Sequence, residues 1–379
     1  MTGRIGAGPS RSRIEGLPAR LAPETRVYFR PVGLLFGASA DAFVAAGRAR
    51  RLAGGRIAFT ACEVLFRAPG RISTCVADAS AVAAWIDGLG DLAPALRETW
   101  ARIQAPRAPV AGVPMDAPAI MGVVNVTPDS FSDGGDHADA EAAIAHGRAL
   151  AEAGAAILDL GGESTRPGAK PISPEVEAAR VVPVVAGLAG LGVPLSIDSR
   201  RASVMAAALE AGATIVNDVS ALAHDPASLG VVAAAGAPVI LMHSQGDPRT
   251  MQDDPVYDDA PLDVYDALAA RVDACLAAGI ARARILVDPG IGFGKSPTGH
   301  NVEILRALAL YHGLGCPILL GVSRKSFIAR LSADEPPKSR LPGSLAAGLA
   351  GLDQGVRVLR VHDVAETAQA LAVWRALRA

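Results

Sequence analysis

Lysine is scarce in this sequence. Of 36 basic residues only Lys170, Lys295, Lys325 and Lys338 are lysines, and arginine supplies the rest of the positive charge, so each lysine is a position to locate. Excess charge of either sign is also missing: a formal net charge of -2 over 379 residues gives no global attraction to nucleic acid or anionic membrane. Cysteine is limited to Cys62, Cys75, Cys275 and Cys316, far apart in apolar or strand-like surroundings. That pattern is neither a disulfide framework nor a metal-ligand spacing, and it points to buried thiols in a reducing cytoplasm. No apolar run approaches the ~20 residues needed to span a bilayer. The first 25 residues have no apolar centre of a signal peptide, and Glu15 and Glu24 count against a transit peptide, so 1–25 reads as a mobile tail.

What is present is enough to build sizeable cores, since half the chain is hydrophobic and a fifth charged. The length favours one large domain and a smaller one. Residues 26–104 read as a small α+β domain: 26–36 and 56–67 are strand-like, Ala68-Pro-Gly70 is a tight turn, and 71–77 returns as a hairpin partner. Segments 39–52 and 80–104 have helical spacing, with Trp85, Leu89, Leu92 and Leu96 on one face. No carboxylate pair, phosphate loop or metal cluster stands out there, so the unit reads as a packing or regulatory appendage. Four prolines within 105–118 then exclude a helix or a central strand, and this stretch is expected to be a semi-rigid linker.

From 119 to 379 strand-like and helix-like segments alternate. Apolar runs fall at 120–125, 156–160, 194–198, 214–217, 238–243, 285–288, 317–322 and 356–362, with Ala-rich amphipathic segments between them. The helical segments include 138–153, 174–191, 201–211, 263–278, 301–311, 342–354 and 364–378. Eight β/α units in this length match an α/β (β/α)8 TIM barrel better than its competitor, a doubly wound open sheet. Asn125, Asp159, Asp198, Asn217, His243, Asp288, Ser323 and His362 each appear as an apolar run gives out. In such a barrel these positions converge on the C-terminal face, where active sites of this architecture are built.

Their chemistry suggests a ligand. Asp198, Asn217 and Asp288 offer acceptors and one amide, suited to the edge of a heteroaromatic ring bearing amino and ring N–H donors. A cationic set, Arg166, Arg324, Lys325, Arg360 and His362, is suited to a phosphorylated group. Arg360 and His362 lie two apart and share a strand face. The loops 127–135 and 161–168 are rich in Gly and Pro and long for minimal βα turns, as expected of segments that close over substrate. The stretch Asp288-Pro-Gly-Ile-Gly-Phe-Gly-Lys295 resembles a phosphate-cradling glycine pattern, a weak signal by itself.

Taken in order, seven motifs resemble the dihydropteroate synthases, the folate-pathway enzymes targeted by sulfonamides, over about residues 118–379. They are Met-Gly-Val-Val-Asn-Val-Thr-Pro-Asp-Ser-Phe-Ser-Asp-Gly-Gly135, Asp159-Leu-Gly-Gly-Glu-Ser-Thr-Arg-Pro-Gly168, Ser196-Ile-Asp198, Asn217-Asp-Val, the Asp288–Lys295 stretch, Gly321-Val-Ser-Arg-Lys-Ser326 and Arg360-Val-His-Asp363. The resemblance implies displacement of diphosphate from 6-hydroxymethyl-7,8-dihydropterin diphosphate by the amine of 4-aminobenzoate, giving 7,8-dihydropteroate through a dissociative, carbocation-like step. It implies Asp159, Lys325, Arg360 and His362 as catalytic residues. The pterin would be held by Asp159, Asp198, Asn217, Asp288 and Lys325. The diphosphate would sit among Asn125, Thr165, Arg166, Arg360 and His362, with Mg2+ on Asn125, and 4-aminobenzoate near Phe131, Pro167, Phe293 and Ser326. A cytoplasmic homodimer with these small molecules as its ligands, and no nucleic acid or membrane partner, completes the expectation.

Two features depart from the family pattern. Ser244, in Met242-His-Ser-Gln-Gly246, stands where an apolar residue such as Met is expected, and the residues before the resemblance are not part of the minimal family. Two other readings compete. The pterin-binding domain of a corrinoid methyltransferase would share the fold but not the Ser323-Arg-Lys325 and Arg360-Val-His362 motifs, and a catalytically silent paralogue would have lost motif residues, whereas none is lost.

Overall fold

A computed structural model describes residues 9–126, 135–163, 171–246 and 251–379, the backbone alone for 135–138. The N-terminal unit contains β1 (Ser10–Arg13), β2 (Arg26–Leu35), α1 (Gly37–Ala45), β3 (Arg50–Arg51), β4 (Ala58–Ala68), β5 (Arg71–Asp78), α2 (Ala79–Asp87) and α3 (Ala93–Gln104). Its sheet runs β1-β5-β4-β2, with β3 added on β4. Because successive strand residues face opposite sides, Phe29 and Tyr28 enter different cores. Phe29 and Phe59 meet Trp100 of α3 edge-on at 5.5 and 5.6 Å, forming the unit's own core. Tyr28, Leu65 and Ile72 instead pack on Leu262 and Leu310 of the following domain. The unit is docked by its sheet. Arg67 to Asp263 at 2.6 Å and Arg26 to Asp266 at 2.9 Å rim this contact, and the Tyr28 hydroxyl donates to Asp266 at 2.9 Å.

Several N-terminal expectations change. Residues 1–25 were expected to be a tail, yet β1 pairs in parallel with β5, and Ile14, Leu17 and Leu21 pack against the unit's core. The helix expected over 39–52 ends at Ala45, and Arg50–Arg51 pair with β4 instead. The helix expected over 80–104 breaks at Gly88–Leu92, where Gly90 takes a φ of 56° and a short 3-10 turn intervenes. Val82, Ile86, Trp100 and Ile103 form its buried face, and Leu92 is exposed.

The second domain contains β6 (Ala119–Asn125), α4 (Gly135–Glu152), β7 (Ile157–Gly161), α5 (Pro174–Leu188), β8 (Leu195–Asp198), α6 (Ala202–Glu210), β9 (Ile215–Asp218) and α7 (Ser228–Ala235). It continues with β10 (Val239–Met242), α8 (Ala260–Ala277), β11 (Ile285–Asp288), α9 (His300–Arg306), β12 (Leu319–Leu320), α10 (Ser326–Leu331), α11 (Leu341–Asp353), β13 (Val358–Val361) and α12 (Val364–Leu377). The eight strands are all parallel and ordered β11-β10-β9-β8-β7-β6-β13-β12. A parallel bridge from Val287 to Ile318 joins the two ends, and the circuit is a nearly closed (β/α)8 barrel. Among the described residues, no helix is long and apolar enough to cross a membrane.

The proline-rich stretch is more than a spacer. Val110 and Val113 bond to each other through their backbones at 2.9 and 2.8 Å, and together with Met115 they pack beneath Met121, Ile157, Ile215, Ile240, Leu286, Leu319 and Val358. Seven barrel strands thus contribute side chains to a cluster that this small hairpin plugs from below.

Candidate active site

Strand alternation builds the site from that cluster. Two residues above Ile157, Ile215, Leu286 and Val358 stand Asp159, Asn217, Asp288 and Arg360, facing the same interior one storey higher. On β8, Asp198 likewise stands two residues above Ser196. The interior therefore changes from apolar to charged within one step of the pleat, at the C-terminal ends of the strands.

Arg360 organises the storey. Its Nε donates to Asp159 Oδ2 at 2.6 Å and one terminal nitrogen donates to Asp198 Oδ2 at 2.8 Å. Asn217 Nδ2 donates to the same Asp159 oxygen at 3.0 Å. The other carboxylate oxygens, Asp159 Oδ1 and Asp198 Oδ1, are buried and have no hydrogen-bond partner. Buried acceptors without donors are costly, and here both lie in the mouth of the barrel. Burial, with Asp159 adding to it against the pull of Arg360, pushes the Asp198 carboxyl up to about 7. Burial works against the Arg360 charge, but Asp159 and Asp198 outweigh it and hold its pKa above the ordinary arginine value.

A second cluster sits across the mouth. Asp288 Oδ1 accepts from the Gly290 N–H at 2.7 Å. Burial raises its pKa against the opposing effect of Lys325. Lys325 Nζ donates to the Ile291 carbonyl and lies 4.7 Å from the centre of the Phe293 ring. Burial brings the Lys325 ammonium down to about 8, with Asp288 resisting. Gly321 leaves the floor open between these groups: a Cβ there would stand 3.7 Å from Lys325 Nζ and 3.8 Å from Asp288 Oδ2. At the rim, His362 donates its backbone N–H to Ser323 Oγ at 3.2 Å, and its Nδ1 lies 3.0 Å from the same oxygen. Asn125 closes β6 half-buried, and Ser326 is the exposed first residue of α10.

The structure therefore brings together Asp159, Asp198, Asn217, Asp288, Lys325 and Arg360, with Asn125, His362, Phe293 and Ser326 on the elements around them. Phe131, Thr165, Arg166 and Pro167 lie outside the described residues, as do Lys170 and most of the two loops expected to close over substrate. Arg324 was expected to join the cationic set, but its guanidinium grips Asp363, with Nε donating at 3.0 Å. The glycine pattern after β11 answers a packing need. Gly290 and Gly294 take positive φ values of 69° and 61°, and a Cβ on either would lie 1.9 Å from the His243 carbonyl oxygen or 2.3 Å from that of Gln245.

Lys295, which ends that stretch, lies wholly buried, where Nζ reaches His243 Nδ1 at 2.9 Å, the His243 carbonyl at 3.2 Å and the Phe293 carbonyl at 2.9 Å. Burial, then the adjacent Lys295, depresses His243 to about 3, so its ring is neutral and offers an acceptor. The lysine thus staples the loop carrying Phe293 to the end of β10.

Sequence reading missed the ion-pair network around Gly162 and Glu163, which directly follow β7. Glu163 accepts from Arg201 at 2.9 Å and from Arg200 at 3.3 Å, Arg201 also pairs with the buried Glu177, and Arg180 donates to the Gly162 carbonyl at 3.1 Å. The adjacent arginines following Ser196-Ile-Asp198 were the available signal. Ser244, the departure noted just after β10, donates to the Val219 carbonyl at 2.9 Å and ties two mouth loops together.

Residues 121–362 match the family described as pterin binding enzyme. A dihydropteroate synthase of Neisseria meningitidis serogroup B is 50% identical over 268 residues, covering 69% of this chain and 94% of that protein. Two solved structures from Xanthomonas albilineans are similar over 72% of this chain. The dihydropteroate synthase with 4-aminobenzoic acid is 49% identical with a TM-score of 0.68, covering 98% of that chain. The complex with 7,8-dihydropteroate is 46% identical with a TM-score of 0.66, covering 99%.

Proposed function

We infer that the barrel mouth works on a pterin, because the chain belongs to the pterin-binding enzyme family and, within it, to the dihydropteroate synthases. It is a transferase of folate synthesis that joins 6-hydroxymethyl-7,8-dihydropterin diphosphate to 4-aminobenzoate. The observation that carries the residue-level reading is the pair of orphan acceptors, Asp159 Oδ1 and Asp198 Oδ1, inside a mouth closed by Asn217, Asp288 and Lys325. A pterin edge presents an amino group and ring N–H donors, which answer such acceptors.

The reaction breaks the C–O bond at the pterin methylene, whose electron pair leaves with diphosphate. The aniline lone pair forms the new C–N bond, and the ammonium proton is released. Carboxylates beside the methylene stabilise its positive charge, which supports a dissociative course. Arg360, already oriented by two carboxylates, and His362 at the rim face the side where anionic charge develops. Lys325 spans the Phe293 ring and the Asp288 side of the pterin site. The roles expected for Thr165, Arg166, Phe131 and Pro167 belong to the same proposal.

Mg2+ fits the donors present. Among the described residues no cluster of three or more His, Cys, Asp or Glu could hold a metal, and Asn125, half-buried at the end of β6, would hold Mg2+ by its side-chain oxygen beside the substrate diphosphate. When bound, Mg2+ would neutralise diphosphate charge. A cytoplasmic setting is supported by four buried, unpaired cysteines. A homodimer is supported by the exposed Val373 and Leu377, neighbours on one face of α12.

Calorimetric titration with the dihydropterin diphosphate and Mg2+ tests this placement. Binding should collapse in Asp159→Ala and Asp288→Ala; unchanged affinity in both would move the pterin elsewhere.

A further inference from the structure

A second cavity lies far from the barrel mouth, between the N-terminal unit and the closed end of the barrel, with a volume of about 960 Å³. That is the size of a small-molecule site. Its wall holds five arginines, Arg51, Arg56, Arg357, Arg375 and Arg378, against two aspartates, Asp41 and Asp116, with Trp374 and Phe36 as aromatic surface. Two of the arginines are already matched: Arg51 pairs with Asp41, and Arg378 pairs with Asp353 while lying 4.3 Å from the Phe36 ring centre. Among the described residues the other three have no carboxylate partner.

Arg357 is the decisive one. It is 3% exposed, immediately before β13, yet it meets only backbone carbonyls: Asp116 at 3.3 Å and Leu52 at 3.5 Å. Its Nε is buried without a partner. Gly55 admits the guanidinium, since a Cβ there would lie 2.1 Å from one of its terminal nitrogens. A buried guanidinium bonded only by long contacts to neutral carbonyls is a desolvated charge awaiting an anion. Burial lowers its pKa, with Asp116 acting in the other direction. Arg56 and Arg375 stand exposed at the opening, where Arg375 is steadied by the Pro118 carbonyl at 2.7 Å.

We propose that this cleft binds a small anionic ligand through a phosphate or carboxylate group held by Arg357, Arg56 and Arg375. Guanidinium forks match both oxyanions bidentately. Because Arg56 and Arg357 come from different domains, the ligand would bridge the N-terminal unit to the barrel. The appendage then has a role independent of the chemistry at the mouth.

The test titrates the full chain separately with inorganic phosphate and with citrate by calorimetry, in wild type, Arg360→Ala, Arg357→Gln and the double variant Arg56→Ala/Arg375→Ala. The double variant changes only exposed side chains and should keep its turnover. At least one anion should bind wild type and Arg360→Ala equally, and the choice between phosphate and citrate identifies the oxyanion preferred. The double variant should bind about a hundredfold more weakly, the loss of two charge-assisted hydrogen bonds at about tenfold each, and Arg357→Gln should not bind. The proposal is overturned if neither anion binds, if the double variant binds as wild type does, or if only Arg360→Ala loses binding, which would place the anion at the mouth.

Discussion

Replacing Asp198 by Asn should make the protein progressively more stable than wild type as pH rises from 4 to 8. The Asp198 carboxyl moves from 3.8 to about 7 on folding, chiefly through burial and then through Asp159, even with Arg360 beside it. Its folded pKa is raised, so between those values the native state holds a proton that the unfolded state has released. Unfolding thus releases that proton, and the contribution of this group to stability falls with rising pH. Three pH units at ~1.4 kcal/mol each set a ceiling of about 4 kcal/mol. The amide in Asp198→Asn keeps the shape and does not ionise. Urea unfolding followed by tryptophan fluorescence at pH 4, 5, 6, 7 and 8 measures the difference, with Trp374 reporting on the barrel. The two proteins should be closest at pH 4 and diverge until about pH 7. A stability difference that stays flat from pH 4 to 8 would show that Asp198 does not titrate there and would refute the reasoning.

Arg360→Ala should lower kcat/KM by roughly 10²–10³, the cost of removing one preorganised charge donor, with circular dichroism confirming the fold. Because Lys325 loses its proton near pH 8, the activity it supports should fall as pH rises through that value, and Lys325→Arg, charged throughout, should move this alkaline limb upward. Lys295→Met should raise KM for 4-aminobenzoate and lower kcat/KM by roughly tenfold to a hundredfold, as a misplaced loop would, through Phe293 and without touching substrate. Deleting 1–104 should leave a folded but less soluble barrel, because Leu262 and Leu310 lose their cover; deleting 1–118 should also remove the plug formed by Val110, Val113 and Met115 and abolish folding, both read by thermal melts.

The barrel was legible because its strands are buried on both faces and read as continuous apolar runs, and because alternation carries the first polar residue of several strands into the mouth. Asp159, Asp198, Asn217 and Asp288 could be picked out for that reason. Lys295 shows where the logic fails: scarcity marked it, but its side chain is wholly buried against His243 rather than open to a ligand. The edge strand Ser10–Arg13 is polar throughout and is held by backbone pairing with β5, so side-chain pattern could not reveal it. The hairpin plug was hidden by its prolines, which signalled a linker while Val110 and Val113 formed a turn between them. Arg324 looked like its neighbour Lys325, but a φ of 60° turns the chain there, and its side chain pairs with Asp363.

The most direct measurement is turnover by the purified full chain, given 6-hydroxymethyl-7,8-dihydropterin diphosphate, 4-aminobenzoate and Mg2+, with both products quantified. Dihydropteroate and diphosphate should appear in equal amounts, with little of either from Arg360→Ala. A protein that binds the pterin yet releases no diphosphate in the presence of 4-aminobenzoate would contradict the synthase assignment and leave a silent pterin-binding barrel.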